Sequence, residues 1–183
     1  PTMSQLPLDL VRTLVSTDQI QSRVAELAEQ INANYSDILQ REDKRLHVIG
    51  ILKGAFIFLA DLTRQLHIPH IVDFMAISSY GITTTSGAVR ILMDLREPVE
   101  DQHVLIVEDI LDTGHTINYL IHTLQGRTPA SLKTCVLVRK TNSTATLQAD
   151  YLGFDIPDVW AVGYGLDCAE KHRTLPFIAE IKR

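Results

Sequence analysis

Apolar residues recur along this chain in two patterns, short near-continuous runs and sets spaced at three and four residues. Leu46 to Leu52, Ile71 to Ile77, Val104 to Val107 and Leu132 to Val138 are the runs, and they suit strands buried on both faces, as in a parallel sheet. Between them, Ile20, Val24, Leu27, Ala28 and Ile31 fall at helical spacing behind Asp18 in a first turn. Ala55 to Leu66 reads as a second helix, and a third follows from about residue 116. Val89 to Met93, Tyr151 to Phe154 and Val159 to Gly163 predict shorter strands. Ser78 to Gly87, with six Ser or Thr residues and two glycines, has the composition of a mobile loop. Strands alternating with helices predict a parallel α/β sheet with right-handed crossovers. No repeat, low-complexity tract or linker interrupts it, so residues 1–183 read as one domain.

The most informative junction is where the apolar run Val104 to Val107 meets Glu108, Asp109, Ile110, Leu111, Asp112, Thr113, Gly114, His115 and Thr116. Two adjacent carboxylates are costly to bury without partners, which places Glu108 and Asp109 at the strand's exit. Ligands of open α/β sheets bind outside the carboxyl ends of strands. The helix that follows would present unpaired N–H groups to an anion, Gly114 would let backbone approach closely, and Thr113 and Thr116 would add hydroxyl donors. Three carboxylates in the same turn would repel a phosphate unless they face ribose hydroxyls, a magnesium ion or a protonated base. Together these features describe a site for a phosphorylated sugar.

Composition narrows the setting. The chain is ordinary globular material, 45% hydrophobic and 21% charged. A formal net charge of −5 argues against a general nucleic-acid binder, so a polyanionic substrate must be neutralised locally, with Lys53, Lys140 and Arg173 as candidates. No basic leader and no apolar stretch of about 18 residues is present, so neither membrane nor secretion is indicated and a cytoplasmic protein is expected. Cys135 and Cys168 are too few and too far apart for a disulfide framework or a zinc site.

The acidic turn also resembles the phosphoribosyl pyrophosphate motif of the type I phosphoribosyltransferases: two apolar residues, Glu108, Asp109, two more apolar residues, then Asp112, Thr113, Gly114 and Thr116. Asp112 makes it similar to the 6-oxopurine members, the hypoxanthine(-guanine) phosphoribosyltransferase family. The resemblance runs through nearly the whole chain after residue 10. It implies a Rossmann-like, five-stranded parallel core with flanking helices, and a small hood made of the N-terminal region and the segment after roughly residue 150. It implies transfer of a 5-phosphoribosyl group from phosphoribosyl pyrophosphate to hypoxanthine, and to guanine, with magnesium as cofactor and a homodimer or homotetramer as the assembly.

The resemblance also distributes roles. Asp112 would manage the proton on purine N7 as the catalytic residue. Lys53, Gly54, Glu108, Asp109, Asp112, Thr113, Gly114, His115, Thr116 and Arg173 would bind phosphoribosyl pyrophosphate, with an unusual non-proline cis peptide expected at Lys53–Gly54. Lys140, Trp160, Ala161 and Leu166 would bind the purine: Lys140 donating to the 6-oxo group, Trp160 stacking, Ala161 offering backbone groups. Glu108, Asp109 and Asp167 would hold magnesium, Glu170 would orient Arg173, and Ser79 and Tyr80 would sit in a lid. His115 stands where family members often carry Lys or a small residue, adding a titratable ring to the phosphate cradle. Cys168 stands where an aromatic is common. Two rival classes remain, a regulator that binds nucleotide and RNA on the same fold and a degenerate-site binding protein. Within the enzymes, hypoxanthine, guanine and xanthine differ only at C2, which the sequence does not rank.

Overall fold

The computed structural model describes residues 9–79, 89–143 and 148–182. Its elements run β1 (Leu10–Val15), α1 (Thr17–Glu42), β2 (Leu46–Leu52), α2 (Phe56–Thr63), β3 (His70–Ser79), β4 (Val89–Met93), β5 (His103–Leu111), α3 (His115–Gln125), β6 (Ser131–Lys140), β7 (Tyr151–Ile156), β8 (Ala161–Val162) and β9 (Ile178–Ile181).

Ser16 and Gln19 start α1 with a reciprocal capping box. The helix runs well past Ile31 because Tyr35 and Leu39 continue its buried stripe at four-residue steps, and Asp43 ends it in the left-handed region at φ 50°. It packs on one face of a six-stranded sheet ordered β4-β3-β2-β5-β6-β7. Five strands of that sheet are parallel, the expected core, and β4 adds an antiparallel edge.

The alternation along β5 shows why its run is continuous: Leu105 and Val107 join the core under α1 and α2, while Val104 and Ile106 join the one under Leu120 and Leu124 of α3. Both faces are covered, so β5 is buried from His103 through Glu108 and opens only at Asp109 and Ile110.

A second, antiparallel sheet, β1-β9-β8, joins the two ends of the described chain. Its core is small, chiefly Leu10, Val162, Ala179 and Ile181. The expected boundary near residue 150 moves, because Tyr151–Ile156 pairs with β6 and belongs to the main sheet. Having started in the small sheet with β1, the chain returns to it only after Ile156. No helix among the described residues is long and apolar enough to cross a membrane.

Candidate active site

The carboxyl ends of β2, β5 and β6 carry the site. Glu108 and Asp109 do not sit beyond the strand as expected. β5 keeps its pairing with β6 through Leu111↔Arg139, so both acids lie within the sheet, and Glu108 is only 6% exposed. Glu108 Oε1 accepts from the Asp109 N–H at 3.3 Å, and Oε2 is buried with no hydrogen-bond partner among the described residues. Burial, reinforced by the neighbouring Asp109 charge, pushes the Glu108 carboxyl well above the usual range. Burial raises Asp109 as well, against hydrogen bonds and the Arg173 charge that pull it down.

The raised value sets a pH dependence. Folded protein holds the Glu108 proton more tightly than unfolded chain, so stability is greatest below the ordinary glutamate pKa and falls as pH rises through the folded one. Glu108→Gln removes the titratable group and should stabilise the substrate-free protein at pH 8 by more than about 1 kcal/mol, since each unit by which the folded protein raises the pKa is worth about 1.4 kcal/mol. Thermal unfolding of both proteins across pH 4 to 8 checks it: the gain must vanish toward the acid end.

After Leu111 the chain turns through Asp112 and Thr113 into α3, whose N-cap is Gly114 at φ 79°. No side chain caps this helix and no acid lies in its first turn, so its leading N–H groups stay available to an anion. His115 and Thr113 are exposed there and Thr116 is half-buried.

Asp112 Oδ2 accepts from Lys140 Nζ at 2.9 Å, and the Ser143 hydroxyl donates to the Asp112 carbonyl. Lys140 Nζ also lies 3.3 Å from Asp158 Oδ1, a residue the sequence reading did not single out. Burial disfavours the Lys140 charge, but the two carboxylates outweigh it and hold its pKa above the usual lysine value. Arg139, unassigned from sequence, points elsewhere and pairs with Asp155 at 2.7 and 3.0 Å.

On the other side of Asp109 lies the turn after β2. The cis bond in it is Leu52–Lys53, one residue before the expected Lys53–Gly54. A Cβ on Gly54 would lie 1.6 Å from Asp109 Oδ2, so only glycine lets this turn press against the carboxylate. Gly165, at φ 104°, packs its α-carbon onto the Gly54 carbonyl. The loop it belongs to is held by Arg173, which donates to the Gly165 carbonyl at 2.6 Å and pairs with Asp167 at 2.8 Å and Glu170 at 3.1 Å. Glu170 in turn takes Lys53 Nζ at 2.9 Å, and the cations of Lys53 and then Arg173 draw its carboxyl below the usual range. Lys53, Asp167, Glu170 and Arg173 are thus one connected cluster. Behind it, the Tyr164 hydroxyl donates to Asp61 on α2 at 2.6 Å, a link not legible in the sequence.

Trp160 stands just before β8 and is 48% exposed, its carbonyl accepting from the Ile181 N–H. Ala161 follows as the first residue of β8. The Leu166 side chain is packed into the main core, and its backbone N–H and carbonyl are bonded to Gly163. Ser79 ends β3, while Tyr80 and the rest of the expected lid lie outside the described residues.

The phosphoribosyl transferase domain model matches residues 14–169. A hypoxanthine-guanine phosphoribosyltransferase of Dictyostelium discoideum is 46% identical over 93% of this chain and 96% of its own length. A crystal structure of the Bacillus anthracis hypoxanthine-guanine phosphoribosyltransferase superposes with a TM-score of 0.85 at 40% identity, covering 96% of this chain and 99% of that one. The Trypanosoma cruzi hypoxanthine phosphoribosyltransferase in complex with its product IMP does so at 0.88 and 38% identity, covering 97% of each. By sequence over nearly its whole length, and by a fold that places the acidic turn at the carboxyl end of a parallel sheet, this chain belongs to the phosphoribosyltransferase family, among its hypoxanthine-guanine members.

Proposed function

We infer that this chain is a cytoplasmic purine-salvage enzyme that transfers the 5-phosphoribosyl group of phosphoribosyl pyrophosphate to hypoxanthine and guanine, releasing pyrophosphate. The observation that carries the reading is the pairing of Asp112 with Lys140 beside the uncapped start of α3. An acceptor and a donor 2.9 Å apart match the protonated N7 and the 6-oxo group, which stand side by side on one edge of the purine. An adenine 6-amino group would meet a donor with a donor. The half-exposed Trp160 ring supplies a stacking face, Ala161 at the start of β8 supplies backbone groups for the base edge, and Leu166 is a neighbouring contact.

The phosphoribosyl half falls to the neighbouring groups. The N–H groups from Asp112 to Thr116, with the Thr113 and Thr116 hydroxyls and the His115 ring, cradle the 5-phosphate. Glu108 and Asp109 accept from the ribose hydroxyls, which gives the unpartnered Glu108 oxygen a donor. Lys53, Gly54 and Arg173 take the pyrophosphate, with Glu170 orienting the two cations.

Magnesium fits this donor set. No three metal-ligating side chains converge among the described residues, and magnesium is characteristically held by one or two carboxylates with substrate phosphates and water completing its shell. Glu108, Asp109 and Asp167 are the carboxylates that would hold it. When bound it would neutralise charge on the pyrophosphate leaving group. The chain's own part is to align the purine nitrogen with the sugar carbon, to set carboxylates near the developing positive charge, and to hold the N7 proton at Asp112.

Cys135 and Cys168 are both free thiols, which suits a reducing compartment. Val72, Leu92 and Met93, exposed on the β3 and β4 edge, give a homodimer or homotetramer an apolar surface to bury. The test is ultraviolet-monitored turnover with phosphoribosyl pyrophosphate, magnesium and hypoxanthine, guanine, xanthine, adenine or uracil. Turnover of hypoxanthine and guanine but not adenine or uracil is expected, the xanthine rate ranks it against the other two, and activity with none of the five overturns the reading.

A further inference from the structure

We propose that Asp158 is a positioning residue for purine recognition, holding the Lys140 ammonium at its post when Asp112 turns to the base. The proposal rests on the reading of Lys140 as the donor to the 6-oxo group. Its basis is that two carboxylates compete for one ammonium, Asp112 at 2.9 Å and Asp158 at 3.3 Å, while the Lys140 side chain is only 14% exposed.

The register explains how Asp158 comes to be there. Lys140 is the last residue of β6 and lies opposite Ile156 at the end of β7, and the Thr141 N–H still donates to the Ile156 carbonyl. Two residues later the connection toward β8 delivers Asp158, with Val159 N–H turned back onto the Pro157 carbonyl. The arrangement is therefore built by strand pairing rather than by chance contact of long surface side chains.

In the free enzyme Asp112 is committed to Lys140. Once a purine enters, Asp112 must accept from N7, and the same ammonium must donate to the 6-oxo oxygen. With Asp112 as its only anion, Lys140 would follow it or lose the partner that stabilises its charge in a half-closed site. A second carboxylate, carried by the connection from β7 to β8, removes that conflict: Asp158 retains the ammonium, and one N–H is left for the base. Asp158 itself is about half exposed, so its own charge is readily kept.

The test is steady-state kinetics of Asp158→Ala, Asp158→Asn and Asp158→Glu, each measured against hypoxanthine and against phosphoribosyl pyrophosphate. Loss of a charge-assisted anchor should raise KM for hypoxanthine about tenfold in the Ala and Asn variants. The KM for phosphoribosyl pyrophosphate should stay within about twofold, kcat should fall less than the purine KM rises, and Glu should restore most of the loss. A purine KM unchanged in both neutral variants overturns the proposal. So does an equal rise in both KM values, which would mean general damage, or a Glu variant no better than Ala. Lys140→Ala separates the two readings. If it too leaves the purine KM unchanged, the assignment of Lys140 has failed; if it alone raises it, only the role of Asp158 has.

Discussion

Replacing Asp112 with Asn should lower kcat for hypoxanthine by about a hundredfold or more, the usual worth of general acid–base help. The substitution keeps the size and one acceptor oxygen of the side chain but removes its ability to take a proton. Little else should change. The turn is fixed by the Ser143 hydroxyl on the Asp112 carbonyl, which a side-chain change leaves alone, and Lys140 keeps Asp158 as a partner. The 5-phosphate is met largely by backbone N–H groups at the start of α3, so KM for phosphoribosyl pyrophosphate should move by less than about threefold. The decisive pattern is a collapse of kcat with that constant preserved, since loss of binding alone would raise KM and leave kcat intact. Turnover near that of the unaltered enzyme would show that Asp112 moves no proton.

Much of this could be read from residue order, because a strand covered on both faces must be apolar almost throughout. That is why β2 falls where the pattern puts it, and why β5, with core on either side, announces itself. Where burial is one-sided or partial the signal fades. β1 hides only its two ends, and β9 is four residues long, so neither stood out although together they form most of the small sheet. Glu108 and Asp109 were misplaced for an instructive reason. The rule that unpaired acids avoid burial is a rule about stability, and here it is broken at the site where the proposed ribose hydroxyls would supply the missing donors. Pairwise contacts between distant segments were the least legible. Asp158 beside Lys140 depends on the β6–β7 register, and Asp61 beside Tyr164 spans more than a hundred residues of sequence.

The second large effect concerns that loop. Gly165→Ala should destabilise the protein by roughly 3 kcal/mol, combining a left-handed backbone that side chains resist with a collision inside a packed turn. A methyl group there would lie 2.0 Å from the Gly54 carbonyl oxygen at φ 104°, and its obstacle is backbone, which cannot swing aside as a side chain could. For a domain of this size the loss corresponds to a fall in Tm of roughly 6–12 °C. Function should suffer beyond stability. Gly165 presses on Gly54, Gly54 presses on Asp109, and the Gly165 carbonyl is one of the acceptors that fix Arg173. Pushing the two turns apart therefore moves both cations proposed for pyrophosphate, Lys53 and Arg173, and KM for phosphoribosyl pyrophosphate should rise at least tenfold even at temperatures where the variant is fully folded. Gly126→Ala is the matched control: it ends α3 at an ordinary φ of −62°, and a Cβ there would meet nothing closer than 3.4 Å. It should leave Tm within about 2 °C and the kinetics unchanged. Equal behaviour of the two variants would mean that contact between the turns does not shape the site; a large loss at Gly165 alone makes the glycine pair the hinge on which leaving-group recognition is set.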